Sequence, residues 1–211
     1  MSATIIVMSD TKDIDNEHQI INEMFESGLE IFHIRKPKYS TQDLRTYIEK
    51  IDKKFRNRVV IHHHHELSVP LKLKGIHLTE RHRRKNFFRS WFMMQWIKFR
   101  RPDILVTASY HSPNSLLKNN PGYSYVFLSP IFDSISKIGY KNTFNEDSLE
   151  VALRKTKFIV VALGGVDYSK LEKVKQFGFK GFALVGSVWH AADPVAEFKR
   201  VNDKWKILET S

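Results

Sequence analysis

Residues 59–67 read VVIHHHHEL: three β-branched residues run directly into four histidines, His62 to His65. Imidazoles ligate transition metals or move protons near neutral pH. Successive side chains of a strand point to opposite faces, however, so four consecutive rings cannot all converge. The stretch is therefore either part of a metal centre or the histidine-rich end of a strand. Further along, Gly164–Gly165 and Gly186–Ser187 leave backbone N–H groups uncovered by side chains, the arrangement that receives a phosphate, above all where a helix starts. Ser134 and Ser136 offer hydroxyls to the same anion, and Val185 adjoins the second pair. Arg35 and Lys36 suit a second anion contact, the first as a two-pronged donor and the second as a point charge. Lys137 sits in a loop with a glycine close behind and can swing over a bound anion. His111 is a candidate general acid or base, or equally a hydrogen-bonded rim histidine.

The elements that must position these residues follow a regular alternation. Runs rich in Val, Ile and Leu occur at 4–9, 30–35, 58–63, 75–78, 104–109, 125–129, 158–163 and 181–186. Their lack of polar alternation predicts strands covered on both faces. Between them, helical apolar spacing places Ile20, Ile21, Met24 and Phe25 together within 15–27, and Leu44, Tyr47, Ile48, Ile51 and Phe55 together within 41–55. The same spacing puts Leu171, Val174 and Phe177 inward in 167–177. A last helix opens at Asp193–Pro194 and carries Val195, Phe198, Val201, Trp205 and Leu208. The segment after the third strand is short and interrupted by Pro70. Eight strand–helix units predict an α/β chain folded as a compact (β/α)8 TIM barrel, residues 1–211 forming a single domain. The rival, a doubly wound open sheet, would carry a glycine-rich turn after its first strand; here that turn is MSDTKD. In a barrel the site lies at the C-terminal ends of the strands. Nearly every chemically able residue above follows a strand.

Composition narrows the function classes. The chain has 211 residues, no cysteine and a formal net charge of +11. No disulfide can form, no apolar run is long enough to span a bilayer, and the N-terminus lacks the pattern of a signal peptide, so a cytoplasmic protein is expected. The charge favours anionic partners. Residues 81–91 and 98–102 contribute eight Lys and Arg interleaved with aromatics. That segment reads as an exposed helix with Trp91, Phe92 and Trp96 turned inward, or as a nucleic-acid patch with steeply salt-dependent affinity.

The motifs HIRKP, HLTE, SYHS, SPIFDSISK, LGGV and GFALVGSVW, in that order, resemble the thiamine-phosphate synthase and thiazole tautomerase superfamily of small (β/α)8 barrels. The resemblance covers about residues 4–190. SPIFDSISK is similar to the family's Gly-Pro-x-Phe-x-Thr-x-Thr-Lys loop, and LGGV to its Ile-Gly-Gly-Ile. It implies a thiazole phosphate held by Ser134, Ser136, Gly164, Gly165, Val185, Gly186 and Ser187. In the synthase branch an aminopyrimidine diphosphate binds with Mg2+ on the side of His33, Arg35, Lys36 and His62. Its pyrophosphate leaves as the thiazole nitrogen attacks, and Lys137 stabilises the departing charge. In the tautomerase branch a histidine, here His111, moves protons on the ring without a metal.

The sequence departs from the synthase pattern in three motifs. The family's Gln-x-Arg-x-Lys reads His33-Ile34-Arg35-Lys36-Pro37, with Pro37 at the Lys position. The family's Asn-Asp falls on His62–His63, and the Asp after the fourth strand falls on His82. Mg2+ prefers oxygen ligands. His63 and His82 therefore either take a transition ion or stand as neutral side chains in a pocket without a metal. The expected partners are a phosphorylated small-molecule substrate and, as one alternative, a second copy of the chain in a homodimer, with neither membrane nor nucleic acid.

Overall fold

The computed structural model describes residues 4–79, 87–117, 122–132 and 144–210. Within them eight parallel strands close into a barrel in chain order. They are β1 (Thr4–Met8), β2 (Ile31–Ile34), β3 (Val59–Ile61), β4 (Gly75–Leu78), β5 (Leu105–Tyr110), β6 (Tyr125–Leu128), β7 (Val160–Leu163) and β8 (Gly181–Leu184). Pairing of β1 with β8, Thr4 opposite Gly181, completes the ring.

The helices are α1 (Glu17–Glu26), α2 (Thr41–Glu49), α3 (Phe87–Arg100), α4 (Glu146–Lys155), α5 (Leu171–Phe177), α6 (Gly186–Trp189) and α7 (Pro194–Thr210). Their ends follow from local chemistry. Ser40 caps α2 in a reciprocal box with Asp43, satisfying amide donors that the first turn leaves unpaired. Gly178, at φ 87°, stops α5; such a left-handed end is what glycine provides at least cost. Asp193 Oδ1 accepts from the Ala196 amide at the start of α7.

Strand alternation divides the apolar residues into two cores. Ile6, Met8, Ile31, Val60, Phe127, Val161 and Ala183 fill the lumen with Tyr125. The other parity, including Val7, Phe32, Ile34, Ile61, Ile76 and Leu184, packs against the helices. Between β3 and β4 the crossover is a single 3-10 turn, His65–Ser68, in keeping with Pro70 just beyond it. One expectation is corrected. On α3 it is Ile97 that is buried, while Phe92 and Trp96 are 64% and 45% exposed. Met93 and Met94 join Ile97 against the barrel, so the aromatic stripe turns outward instead. The Trp91 side chain lies outside the described residues. Among the described residues, no helix is long and apolar enough to cross a membrane.

Candidate active site at the C-terminal rim

The loops after β6, β7 and β8 are stitched into one continuous seam. Ile131 N–H donates to the Leu163 carbonyl at 3.1 Å, and Phe132 N–H donates to the Gly164 carbonyl at 3.0 Å. Gly164 has φ +93°, and a Cβ there would lie 3.0 Å from Pro130 Cα. Glycine is required at this position both by conformation and by the closeness of the neighbouring chain. On the other side, Ser187 Oγ donates to the Val166 carbonyl at 3.0 Å. Gly165 also has positive φ, at 69°. At the β8 end, backbone bonding of α6 begins with Val188 N–H, which donates to the Val185 carbonyl at 3.1 Å. The amides of Gly186 and Ser187 precede that first bonded amide, as the leading N–H groups of a helical turn do. Ser134, Ser136 and Lys137, expected on the same seam, lie outside the described residues.

His111 stands exposed just past β5, and its Nδ1 bonds the Ser129 carbonyl at 2.9 Å. A carbonyl only accepts, so Nδ1 carries a proton, and in the neutral ring the lone pair is on Nε2. On the other side of the rim, Arg35 is exposed at the end of β2. Its backbone N–H donates to Ser9 Oγ at 2.8 Å, fixing β2 beside β1.

Lys36 is placed differently from the expectation and is corrected here. Its ammonium is fully buried, donating to Glu17 Oε2 at 2.8 Å, Asp13 Oδ1 at 3.3 Å and the Lys12 carbonyl at 2.6 Å. It is committed to fastening β2 to the start of α1, not to the mouth. Burial pushes the Glu17 carboxyl above its ordinary range even against the pull of Lys36.

The histidine run separates residue by residue. His62 enters the lumen, 3% exposed. His63 is half-buried at the rim. His64 adopts φ 53° and turns outward, its Nε2 bonding the Tyr39 carbonyl at 2.9 Å and its Nδ1 bonding Thr41 Oγ1 at 2.8 Å. His65 Nε2 bonds the His77 carbonyl at 3.1 Å. His82 lies outside the described residues.

Register brings His62, expected beside His33, also to the ring of His77, which the sequence reading did not group with it. Val60 pairs with Gly75, so two residues on His62 stands beside His77; His77 in turn pairs with Thr107, and Thr107 with Tyr125. His33 Nδ1 lies 3.0 Å from His62 Nε2, and His33 Nε2 lies 2.6 Å from Tyr125 Oη. The His62 and His77 rings stack at 4.1 Å between centroids. His77 Nδ1 bonds Thr107 Oγ1 at 2.8 Å and its Nε2 bonds Ser109 Oγ at 3.0 Å. Ligand atoms from His33, His62 and His77 all lie within 4.8 Å of one another. Burial drives the His33 imidazole down to about 3. It drives His62 well below its usual range, with His77, His33 and Arg35 adding to the effect. His33 and His62 are therefore neutral at physiological pH. The missed residue is His77. Its only sequence signal was its place in a strand four residues long, on the parity that faces the lumen.

Known proteins share this architecture. The sequence matches the thiamine monophosphate synthase family over residues 4–188. The thiamine-phosphate synthase of Vibrio campbellii is 24% identical over 198 residues, covering 90% of this chain and 92% of that protein. The one from Latilactobacillus sakei is 21% identical over 214 residues, covering 96% and 92%. Among solved structures, a thiamine phosphate pyrophosphorylase from Bacteroides thetaiotaomicron superposes with a TM-score of 0.77 at 29% identity, covering 98% of each chain. A thiamine phosphate pyrophosphorylase from Pyrococcus furiosus shares the fold at the same TM-score and 16% identity.

Proposed function

The chain belongs to the thiamine monophosphate synthase family, and from that premise we propose that it is an enzyme of thiamine biosynthesis that binds a thiazole phosphate and joins it to an aminopyrimidine diphosphate. The observation that carries the reading is the seam of loops after β6, β7 and β8. There the amides of Gly186 and Ser187 precede the first bonded amide of α6, beside Gly164 and Gly165. Amides so placed receive a phosphate monoester through several charge-assisted bonds. In the coupling, the thiazole nitrogen forms a bond to the pyrimidine methylene carbon as the carbon–oxygen bond to pyrophosphate breaks. Arg35, exposed beyond β2, is the described cation suited to the departing pyrophosphate, and Lys137 is assigned the same task. A cytoplasmic setting is part of this proposal, as is a phosphorylated small molecule as partner.

The family resemblance also implies Mg2+. Among the described residues the one cluster of potential metal ligands is His33, His62 and His77, with no carboxylate in it. Imidazole nitrogens suit Mg2+ poorly. The described residues do not fit that ion.

A second reading is favoured by His111. With Nδ1–H directed at the Ser129 carbonyl, Nε2 of the neutral ring is the nitrogen left to act as a base at the rim. In a tautomerase it would shuttle a proton on the thiazole ring. The deciding experiment supplies thiazole phosphate, aminopyrimidine diphosphate and Mg2+, and assays thiamine phosphate and pyrophosphate together. Stoichiometric formation of the two is the expected result. No turnover, with thiazole phosphate still bound and its ring protons exchanging, would replace the coupling reading with the tautomerase.

A further inference from the structure

The lumen of the barrel holds a set of groups that neither phosphate binding nor proton transfer at His111 employs. From their geometry we propose that His33, His62 and His77 form a three-imidazole site that binds one transition-metal ion of the Zn2+ class.

Three strands contribute one ring each, so the cluster is built by the barrel's register and not by a mobile loop. His33 lies on β2, His62 directly after β3 and His77 on β4. Their exposures are 0%, 3% and 2%. A tetrahedral Zn2+ with Zn–N bonds of about 2.0–2.1 Å spaces its ligand nitrogens roughly 3.3 Å apart. Here His33 Nδ1 and His62 Nε2 are 3.0 Å apart, and the three ligand atoms fall within 4.8 Å of one another. Small ring rotations close that gap.

The surroundings orient the rings as partners of metal-bound imidazoles do. Thr107 Oγ1 donates to the Ile76 carbonyl, so it accepts from His77 Nδ1–H and leaves the lone pair of His77 on Nε2. Tyr125 Oη bonds His33 Nε2 at 2.6 Å and holds that ring in place. His62 Nε2 then meets His33 Nδ1. For the ion to enter, each neutral ring turns its lone pair to the centre, which at His77 Nε2 means displacing the bond to Ser109 Oγ. No proton has to leave the protein for the ion to enter.

The donor set names the class of ion. Three neutral nitrogens without an oxygen favour Zn2+ and its neighbours over Mg2+ or Ca2+. Three protein ligands leave one position for water or a substrate atom, the count found in catalytic rather than structural zinc sites. The site does not depend on the thiazole phosphate reading, since its residues lie in the lumen and not on the seam of the last three loops.

The test uses metal-stripped full-length protein and Co2+ or Zn2+ alone. Wild type is expected to bind one Co2+ per chain with the visible bands of tetrahedral nitrogen coordination, displaced by one equivalent of Zn2+. The double variant His33→Gln/His62→Asn places the family's own side chains at the two positions, and it should lose the site while keeping its far-ultraviolet circular dichroism. Thr107→Val should weaken binding roughly 10- to 100-fold, the usual effect of removing a hydrogen-bond partner of a ligand. The protein has 10 histidines, so stoichiometric binding that survives the double variant places the ion elsewhere and overturns the proposal. Absence of a tetrahedral spectrum in wild type also overturns it. If the double variant does not fold, His77→Gln is judged by the same spectrum and the same two outcomes. Thiazole phosphate titrated into the metal-free protein reads the other site separately.

Discussion

Ser187 Oγ donates to the Val166 carbonyl at 3.0 Å, and this bond ties the loop after β8 to the loop after β7. Together with the two amide bonds from Ile131 and Phe132 it makes the last three loops one surface. The proposed anion binding there would depend on loop spacing, because bare amides recognise a phosphate only when several point at it together.

Gly164 sets that spacing, and its substitution is the first prediction. Gly164→Ala introduces a Cβ 3.0 Å from Pro130 Cα at φ +93°. The strain is expected to cost about 1–3 kcal/mol and to weaken thiazole phosphate binding as the seam opens. Gly178→Ala, at φ +87° with nothing within 4 Å of the new Cβ, should cost only the conformational penalty of about 1–2 kcal/mol and leave binding unchanged. Urea midpoints and calorimetric titration compare the two variants; equal effects on binding would remove Gly164 from the site.

Lys36 provides the second. Lys36→Met leaves Glu17 buried without its cation and is expected to destabilise the fold by about 3–5 kcal/mol. Lys36→Met/Glu17→Leu should recover most of that loss. The double variant should bind the phosphate ligand as wild type does, since the ammonium is spent on Glu17, Asp13 and the Lys12 carbonyl. A selective loss of affinity in the double variant would return Lys36 to the mouth.

The buried imidazoles make stability depend on pH. His33 titrates near 3 and His62 well below its ordinary value in the folded protein, against about 6.5 in an unfolded chain. As pH falls below about 6.5 the unfolded chain takes up protons that the native rings refuse. The unfolded state then binds more protons, and stability declines with falling pH. Each ring adds about 1.4 kcal/mol per pH unit to the slope until its folded value is reached. Urea titrations of metal-free protein between pH 7 and 5 should show this slope, and His33→Gln/His62→Asn should flatten it. An unchanged slope in the variant contradicts the account of neutral, buried rings.

His111 supplies the fourth prediction. His111→Ala should abolish proton exchange on the thiazole ring if the tautomerase reading holds, with little change in ligand affinity. Exchange at the wild-type rate removes His111 from acid–base chemistry and leaves it a rim residue bonded to Ser129.

Much of the barrel was legible because buried parallel strands announce themselves as unbroken runs of Val, Ile and Leu; GIHL at 75–78 matched β4 end to end. The stripe from Leu44 to Phe55 was legible for the same reason, since all five apolar residues are buried. The helix expected over 41–55, however, stops at Glu49, and Phe55 belongs to a separate 3-10 turn, Lys53–Arg58. Helix α4 was expected only as one of eight strand–helix units and without bounds, since EDSLEVALRK buries only Leu149 and Ala152 and its signal is a cap at Asn145. The direction of α3 was misjudged because Phe92 and Trp96 looked like core by size, whereas the slimmer Met93, Met94 and Ile97 face the barrel. The histidine trio was illegible for a different reason. Local spacing says which face of a strand a residue takes, but only the pairing of Val60 with Gly75 and of His77 with Thr107 sets three rings from three strands side by side.

The central claim is that the loops after the last strands grip a phosphate ester. Calorimetric titration of thiazole phosphate against the same thiazole alcohol without its phosphate tests it most directly. The phosphate should improve affinity about 100-fold or more, the effect of two charge-assisted hydrogen bonds of roughly 1.5–3 kcal/mol each. Ser187→Pro, which removes one of those amides together with the Oγ bond to Val166, should erase much of the difference. Equal affinity for the two compounds, or a phosphate preference that Ser187→Pro leaves intact, would contradict the account.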